Sequence, residues 1–289
     1  METNELLKKV RQIEIKTRGL SRNIFAGQYH SAFKGRGMAF SEVREYEYGD
    51  DIRDIDWNVT ARYSRPYIKV FEEERELTVM LLIDVSGSRD FGTFELMKKD
   101  MITEIAATLA FSAIQNNDKI GVIFFSDKIE KFIPPQKGKR HILYIIRELI
   151  DFQPAESQTD IGQVLKYLTN ALKKRCTAFV ISDYIDDKNY QHALTIANRK
   201  HDVVAIQVYD ERETELPSIG LMKIKDAETQ EEKWIDTSSG KLREAYRLWW
   251  ENRQTEMNNS FKRSRVDAVS IRTDEDYVKT LIALFNKRS

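Results

Sequence analysis

Five oxygen-bearing side chains carry the chemistry that this sequence can offer. Asp84, Ser86 and Ser88 form an Asp-x-Ser-x-Ser run at the end of the apolar stretch TVMLLID. Asp183 closes a second apolar stretch, CTAFVISD, and Thr159 sits in the polar loop ESQTD just ahead of a helix. An all-oxygen set of two carboxylates and three hydroxyls suits a hard divalent cation, Mg²⁺ first, with Mn²⁺ or Ca²⁺ as alternatives. Neutral hydroxyls leave much of such an ion's charge unquenched, and an exchangeable position is then open to a carboxylate from another protein. That chemistry binds a partner and needs no bond cleavage.

Each residue also has an ordinary reading. An Asp after a strand often forms a turn, and Ser86 and Ser88 could be plain turn residues at the start of a helix. Thr159 could simply precede a helix capped by Asp160, with Gln163 three residues on as in a capping box. Asp186 and Asp187 read as caps for the helix that follows them. The bland account requires five coincidences at once, which weighs against it. The catalytic alternative is a metal-dependent, phosphatase-like hydrolase using Asp84 at the strand end. Phosphatases of the haloacid-dehalogenase type need a second Asp two residues on, where Ser86 stands here. A serine hydrolase lacks its Gly-x-Ser-x-Gly elbow, and no histidine obviously belongs beside Ser86.

The elements that must position these residues follow from periodicity. Strands are predicted at 78–84, 119–125, 129–135, 176–183, 202–210 and 266–271, alternating with helices at 93–115, 139–150, 161–173, 188–199, 240–263 and 275–286. The helix at 93–115 carries Phe94, Met97, Met101, Ile105, Leu109 and Ser112 at helical spacing and is apolar nearly all round in its second half, so it must lie against a sheet. The segment 129–135 follows its predecessor too closely for a parallel crossover and ends in two prolines, so it is an antiparallel edge strand. A hairpin is expected around 221–236. The fold class is therefore α/β, an open and mostly parallel sheet with helices on both faces. Ligands of such sheets bind outside the carboxyl ends of the strands, and loops ending at Asp84, Thr159 and Asp183 converge there if the first and fourth strands are neighbours.

Composition excludes several classes. Lys+Arg 46 against Asp+Glu 46 among 289 residues gives no basic excess, so a nucleic-acid partner is not expected. The single Cys176 cannot form an internal disulfide, and the four histidines lack zinc-ligand spacing. No apolar run is long enough to span a bilayer. The N-terminal stretch reads as an amphipathic helix with Leu6, Leu7, Val10, Ile13 and Leu20 on one side, not as a signal peptide. A cytoplasmic location is expected.

The residues Asp84-Val85-Ser86-Gly87-Ser88, Thr159 and Asp183 resemble the metal-ion-dependent adhesion site of von Willebrand factor A-type domains, in order and at the matching strand ends. The resemblance implies that Ser86 and Ser88 ligate the ion directly and Asp84 through water. Thr159 and Asp183 would exchange between direct and water-mediated contact as a partner binds.

A second, denser pattern runs through residues 25 to 75. It includes Gly35-x-Gly37, Phe40, Arg44-Glu45-Tyr46, Gly49-Asp50-Asp51, Arg53, Ile55-Asp56-Trp57, Ala61-Arg62 and Glu74-Arg75. It resembles the bacterial family known as domain of unknown function 58, whose C-terminus the closing SRVDAVSIRTDEDYVKTLIALF also resembles. The resemblance implies an N-terminal family-specific segment, 1–75, and a von Willebrand factor A-like domain, 76–289, with a hairpin insertion near 213–238. Relatives of that kind often have membrane helices ahead of this segment, and this sequence shows none. The resemblance further implies association with MoxR-type AAA+ ATPases, hence an adaptor that couples an ATPase to a client protein supplying an Asp or Glu to the metal. Within the N-terminal segment, Arg44, Arg53, Arg62 and Arg75 are expected to form salt bridges with Asp50, Asp51, Asp54 and Asp56. Trp57, Tyr46 and Tyr48 are expected to supply apolar contact with the main sheet, and KGRG to make a tight turn.

Overall fold

A computed structural model of the chain describes residues 11–14, 38–73, 77–92, 97–225 and 231–288. Its contacts divide the chain into a small unit, residues 34–77, and a larger one that includes residues 78–289. In the small unit β1 (Met38–Glu45) pairs antiparallel with β2 (Tyr67–Glu73), with a bulge between Phe40 and Glu42. The connection holds a 3₁₀ turn at Ile52–Asp54 and the helix α1 (Trp57–Tyr63). Of the expected N-terminal helix only 11–14, with Ile13, is described and is helical; Leu6, Leu7, Val10, Leu20, the KGRG turn and Arg75 lie outside the described residues.

The larger unit is built on β3 (Thr78–Asp84), α2 (Lys98–Gln115), β4 (Lys119–Phe125) and β5 (Ile129–Gln136). After these come α3 (Lys139–Asp151), α4 (Ile161–Ala171), β6 (Thr177–Ser182), α5 (Gln191–Lys200) and β7 (Asp202–Tyr209). A small hairpin of β8 (Leu221–Lys225) and β9 (Glu232–Asp236) precedes α6 (Gly240–Ser264), β10 (Asp267–Arg272) and α7 (Tyr277–Arg288). The main sheet has the order β10-β7-β6-β3-β4-β5. Every pairing is parallel except that of β5 with β4. The expected antiparallel edge is therefore observed, and so is the adjacency of β3 and β6.

Burial explains the strand sequences. Residues 79–84 of β3 are all buried, as are all six of β6, because helices cover both faces and no side of these strands meets water. Met80, Leu82, Phe125, Val180 and Ala205 turn to a core closed by Ile161, Val164, Leu165 and Leu168 of α4, by α5, and by Met257 and Phe261 of α6. The other helices read as sequence predicts. Ile142, Ile145, Ile146, Leu149 and Ile150 form the one buried stripe of α3. By contrast α2 is buried from Met101 through Ala113. Its hydroxyls survive there because Thr103, Thr108 and Ser112 each donate to the carbonyl four residues back, at 2.7, 2.8 and 2.9 Å.

Where β5 crosses β4 the register shifts around Gly121, and a Cβ there would lie 2.8 Å from Ile133 O, Met80 Sδ and Pro135 N. Only glycine permits that approach. Two helix starts differ most from expectation. The first long helix begins at Lys98 with Met97 as an exposed N-cap residue, while Phe94 lies outside the described residues. The helix expected from 188 begins at Gln191, after Tyr190.

Candidate metal site at the switch point of the sheet

From β3 the chain moves outward to β4 and β5, then returns to the other side of β3 as β6. The crevice between the carboxyl ends of β3 and β6 is the switch point where open α/β sheets bind ligands. The parallel register sets Ile83 beside Ile181, so Asp84 and Ser182 emerge at one level.

Asp84 Oδ1 accepts from the Ser86 amide at 2.9 Å, and Oδ2 accepts from the Ser182 hydroxyl at 2.6 Å. The Ser182 oxygen in turn accepts from the Tyr184 amide at 3.0 Å. Tyr184 takes φ 60°, a left-handed conformation costly for a bulky side chain. Its ring is held there by an edge contact with Phe261, and its hydroxyl donates to Val180 O at 3.0 Å. The Ser86 and Ser88 hydroxyls lie 3.2 Å apart, and the Ser88 hydroxyl helps to favour the charged form of Asp183. Asp183 Oδ1 accepts from the Ile185 amide at 3.1 Å and Oδ2 from Lys98 Nζ at 2.9 Å.

Thr159 joins the group through its loop. The Gly87 amide donates to Ser157 O and the Asp160 amide to Ser126 O, both at 3.0 Å, which fastens 157–160 to the ends of β3 and β4. The Thr159 hydroxyl is buried and has no hydrogen-bond partner among the described residues. Asp84, Ser86 and Ser88 are thus linked by direct bonds, Asp183 lines the same small cavity as Asp84 and Ser88, and the loop that carries Thr159 is fastened to the same strand ends.

The electrostatics point to a missing positive charge on one side of the site. Burial, reinforced by the negative charge of Asp183, pushes the Asp84 carboxyl up to about 6 against its Ser182 and Ser86 hydrogen bonds. No ion pair reaches Asp84 among the described residues. Asp183 is also desolvated, but the Lys98 ammonium and its hydrogen bonds outweigh burial and hold it below the usual carboxylate range. Lys98 is 1% exposed and also bonds Glu213 Oε1 at 2.5 Å. Arg89, buried alongside, donates to Phe152 O and lines the same small cavity with Asp84, Ser88, Lys98 and Asp183. The donor set fits a hard cation: an orphaned buried hydroxyl, an uncompensated carboxylate and two adjacent hydroxyls, all oxygen. Among the described residues no three His, Cys, Asp or Glu gather as a ligand set of the zinc or calcium-loop kind.

Sequence reasoning missed Ser182, Lys98, Glu213 and Arg89. Lys98 left a trace, since it stands at positions i, i+3, i+4 and i+7 with Met101, Ile102 and Ile105, the buried face of α2. The Asp160 cap is observed, with Oδ1 accepting from the Gln163 amide at 2.7 Å. Asp186 does not cap the helix after it. It accepts from the Ile161 amide at 2.9 Å, capping α4 across the site, and from the Lys188 amide at 2.8 Å. Asp187 instead pairs with Arg253 at 2.8 Å. The turn at 184–190 carries α5 beyond both acids, and Asn189 Oδ1 accepts from the Gln191 amide.

In the small unit Arg44 grips Asp50 through two 2.8 Å bonds, and Asp50 also accepts from the Glu47 amide at 2.8 Å. Arg44 beside it holds the Asp50 carboxyl below its ordinary range. Arg53 meets Asp51 at 3.1 Å on the surface. Asp56 does not pair with an arginine. It caps α1 by accepting from the amides of Asn58 and Val59, with Lys69 3.6 Å away, because the orphan N–H groups of a helix start lie closest to it. Arg62 sits in the last turn of α1 and makes no ion pair among the described residues. Trp57 opens that helix, and its ring, like that of Tyr48, is exposed.

The fold is α/β, a six-stranded and mostly parallel sheet with helices around it. It resembles the crystal structure of an aerotolerance-related membrane protein from Bacteroides fragilis, at 15% identity and TM-score 0.51 over 73% of this chain and 98% of that one. The VWA domain of SpRpn10 also matches 73% of this chain and 95% of its own, at 11% identity and TM-score 0.43. The chain belongs to the family described as protein of unknown function DUF58, whose model matches residues 42–256. An uncharacterized protein of Mycobacterium tuberculosis strain H37Rv is 27% identical over 288 residues, 98% of this chain and 90% of the relative. No helix among the described residues is long and apolar enough to cross a membrane.

Proposed function

We propose that the chain is a non-enzymatic protein-interaction module whose contact with its partner runs through a divalent cation, Mg²⁺ in the first place. The observation that supports this reading is a buried Thr159 hydroxyl without a partner and a buried Asp84 carboxylate without a counter-charge among the described residues, on loops fastened together at the ends of β3 and β4. Ser86, Ser88 and Thr159 would hold the ion, with Asp84 and Asp183 close around them. When bound, the ion supplies a positive charge with room for an incoming Asp or Glu. The chain's own residues do the rest. Ser182 and the Ser86 amide orient Asp84, and Lys98 orients Asp183. The partner we propose is of the class the sequence resemblance implies: a MoxR-type AAA+ ATPase, with this chain as an adaptor between it and a client in maturation or assembly, in the cytoplasm.

The phosphatase-like reading has less to work with. Both Asp84 oxygens already accept hydrogen bonds, the residue is 3% exposed, and Ser86 occupies the place of the second acid. A metal without a base or a nucleophile is a poor catalyst. The test is retention of a purified MoxR-type ATPase or its client by the immobilised chain, wild type against Asp84→Ala, in Mg²⁺ or in EDTA. Retention by wild type in Mg²⁺ alone supports the proposal. Equal retention in every lane contradicts it, and phosphatase turnover that disappears in Asp84→Ala favours the hydrolase.

A further inference from the structure

Lys98 is the side chain least expected at this site. It is 1% exposed and is the first residue of α2, where the helix's free N–H groups already carry positive partial charge and disfavour a cation. Its ammonium nevertheless sits between Asp183 Oδ2 at 2.9 Å and Glu213 Oε1 at 2.5 Å. Glu213 is itself fixed. Its Oε2 accepts from the Asp210 amide at 2.8 Å within the capping box of the 3₁₀ turn Glu211–Glu213 after β7. The ammonium is thus held from two sides, over one of the two carboxylates that a cation at the switch point would use. Asp84, the other, has no such companion.

We propose that Lys98 is a positioning residue that presets the site for weak cation binding, so that an ion is held firmly only once a partner's carboxylate joins it. This inference rests on the cation-dependent reading above. Two effects act together. The ammonium occupies a lone pair of Asp183 Oδ2 and keeps that carboxylate from approaching the ion directly. Its charge also repels a dication a few ångströms away, in surroundings too buried for water to screen it well. Glu213 limits the second effect by sharing the ammonium. A resting site of this kind keeps the ion's demand for a further anion, and the partner's Asp or Glu meets that demand. Stability alone does not require a charged trio here, since whole buried ion pairs are often replaced by apolar groups at no cost to stability.

The test is calorimetric titration of the full chain with Mn²⁺ alone, with no partner present. Lys98→Met leaves Asp183 and Glu213 buried without their shared cation, so Lys98→Met/Glu213→Gln, which removes both charges, is measured beside it. The double variant is expected to bind Mn²⁺ at least tenfold more tightly than wild type, about 1.4 kcal/mol. Glu213→Gln alone, which leaves the ammonium entirely to Asp183, is expected to bind several-fold more weakly than wild type. Loss of a structural contact would lower the melting temperature without tightening Mn²⁺ binding. Unchanged or weaker binding by the folded double variant, with wild-type binding still abolished by Asp84→Ala, overturns the role of Lys98 and leaves the cation site standing. Absence of Mn²⁺ binding by wild type and double variant alike at millimolar concentration overturns both.

Discussion

Ser182 donates its hydroxyl proton to Asp84 at 2.6 Å, joining the ends of β6 and β3 across 98 residues of chain. The same oxygen accepts from the Tyr184 amide, so one hydroxyl orients a buried carboxylate and holds the left-handed turn that follows Asp183. Ser182→Ala leaves a buried N–H and a buried carboxylate oxygen each short of a partner. A loss of about 1–3 kcal/mol is expected, read as a lower urea midpoint at unchanged slope. A midpoint equal to wild type would mean that the bond contributes nothing to the fold.

Gly121→Ala tests the packing beneath the site. The new methyl group would lie 2.8 Å from two backbone atoms of β5 and from Met80 Sδ, and backbone cannot step aside as a side-chain end can. Overpacking of this kind costs about 1–3 kcal/mol. The outcome is checked by thermal unfolding, with amide exchange expected to quicken along β5 first. A wild-type melting temperature would show that the edge strand yields freely.

His201 gives the fold an acid limit unrelated to the metal. Its ring is fully buried next to Cys176, with Nδ1 accepting from the Cys176 amide at 3.3 Å and Nε2 without a partner. Burial, helped by Lys200 and Arg175, lowers its pKa to about 4. A folded pKa below the unfolded one means that the unfolded chain takes up the proton first as pH falls. The contribution is therefore intact above about 6.5 and drains away between there and about 4, a loss of roughly 2–3 kcal/mol by pH 4.5 from this group. Unfolding of wild type and His201→Asn across that range checks it, since the variant should lose this part of the slope. Parallel pH profiles would remove His201 from the account.

The centre of the sheet was legible in the sequence because β3, β4, β6 and β7 are buried on both faces and so appear as nearly unbroken apolar runs. The antiparallel edge was legible from a connection too short to cross over and from Pro134-Pro135. The placement of the five candidate ligands was legible, four of them at two strand ends and Thr159 ahead of a helix capped by Asp160. Lys98 was not, because a lysine near a helix start reads as surface, and only the long-range partners Asp183 and Glu213 make its burial affordable. Ser182 was hidden for a similar reason: its function depends on the neighbouring strand. Asp186 was misread because local spacing favours the next helix, whereas the fold brings the start of α4 closer to it. What sequence conceals here is pairing across distance; what it reveals is periodicity and local caps.

Crystals of the full chain soaked in Mn²⁺ and measured at the manganese absorption edge decide whether a cation binds at the switch point. An anomalous peak is expected at the carboxyl ends of β3 and β6, about 2 Å from the Ser86 and Ser88 hydroxyl oxygens, and it should disappear in Asp84→Ala. A wild-type map without density at that point, or with an equal peak in the variant, would contradict cation binding there.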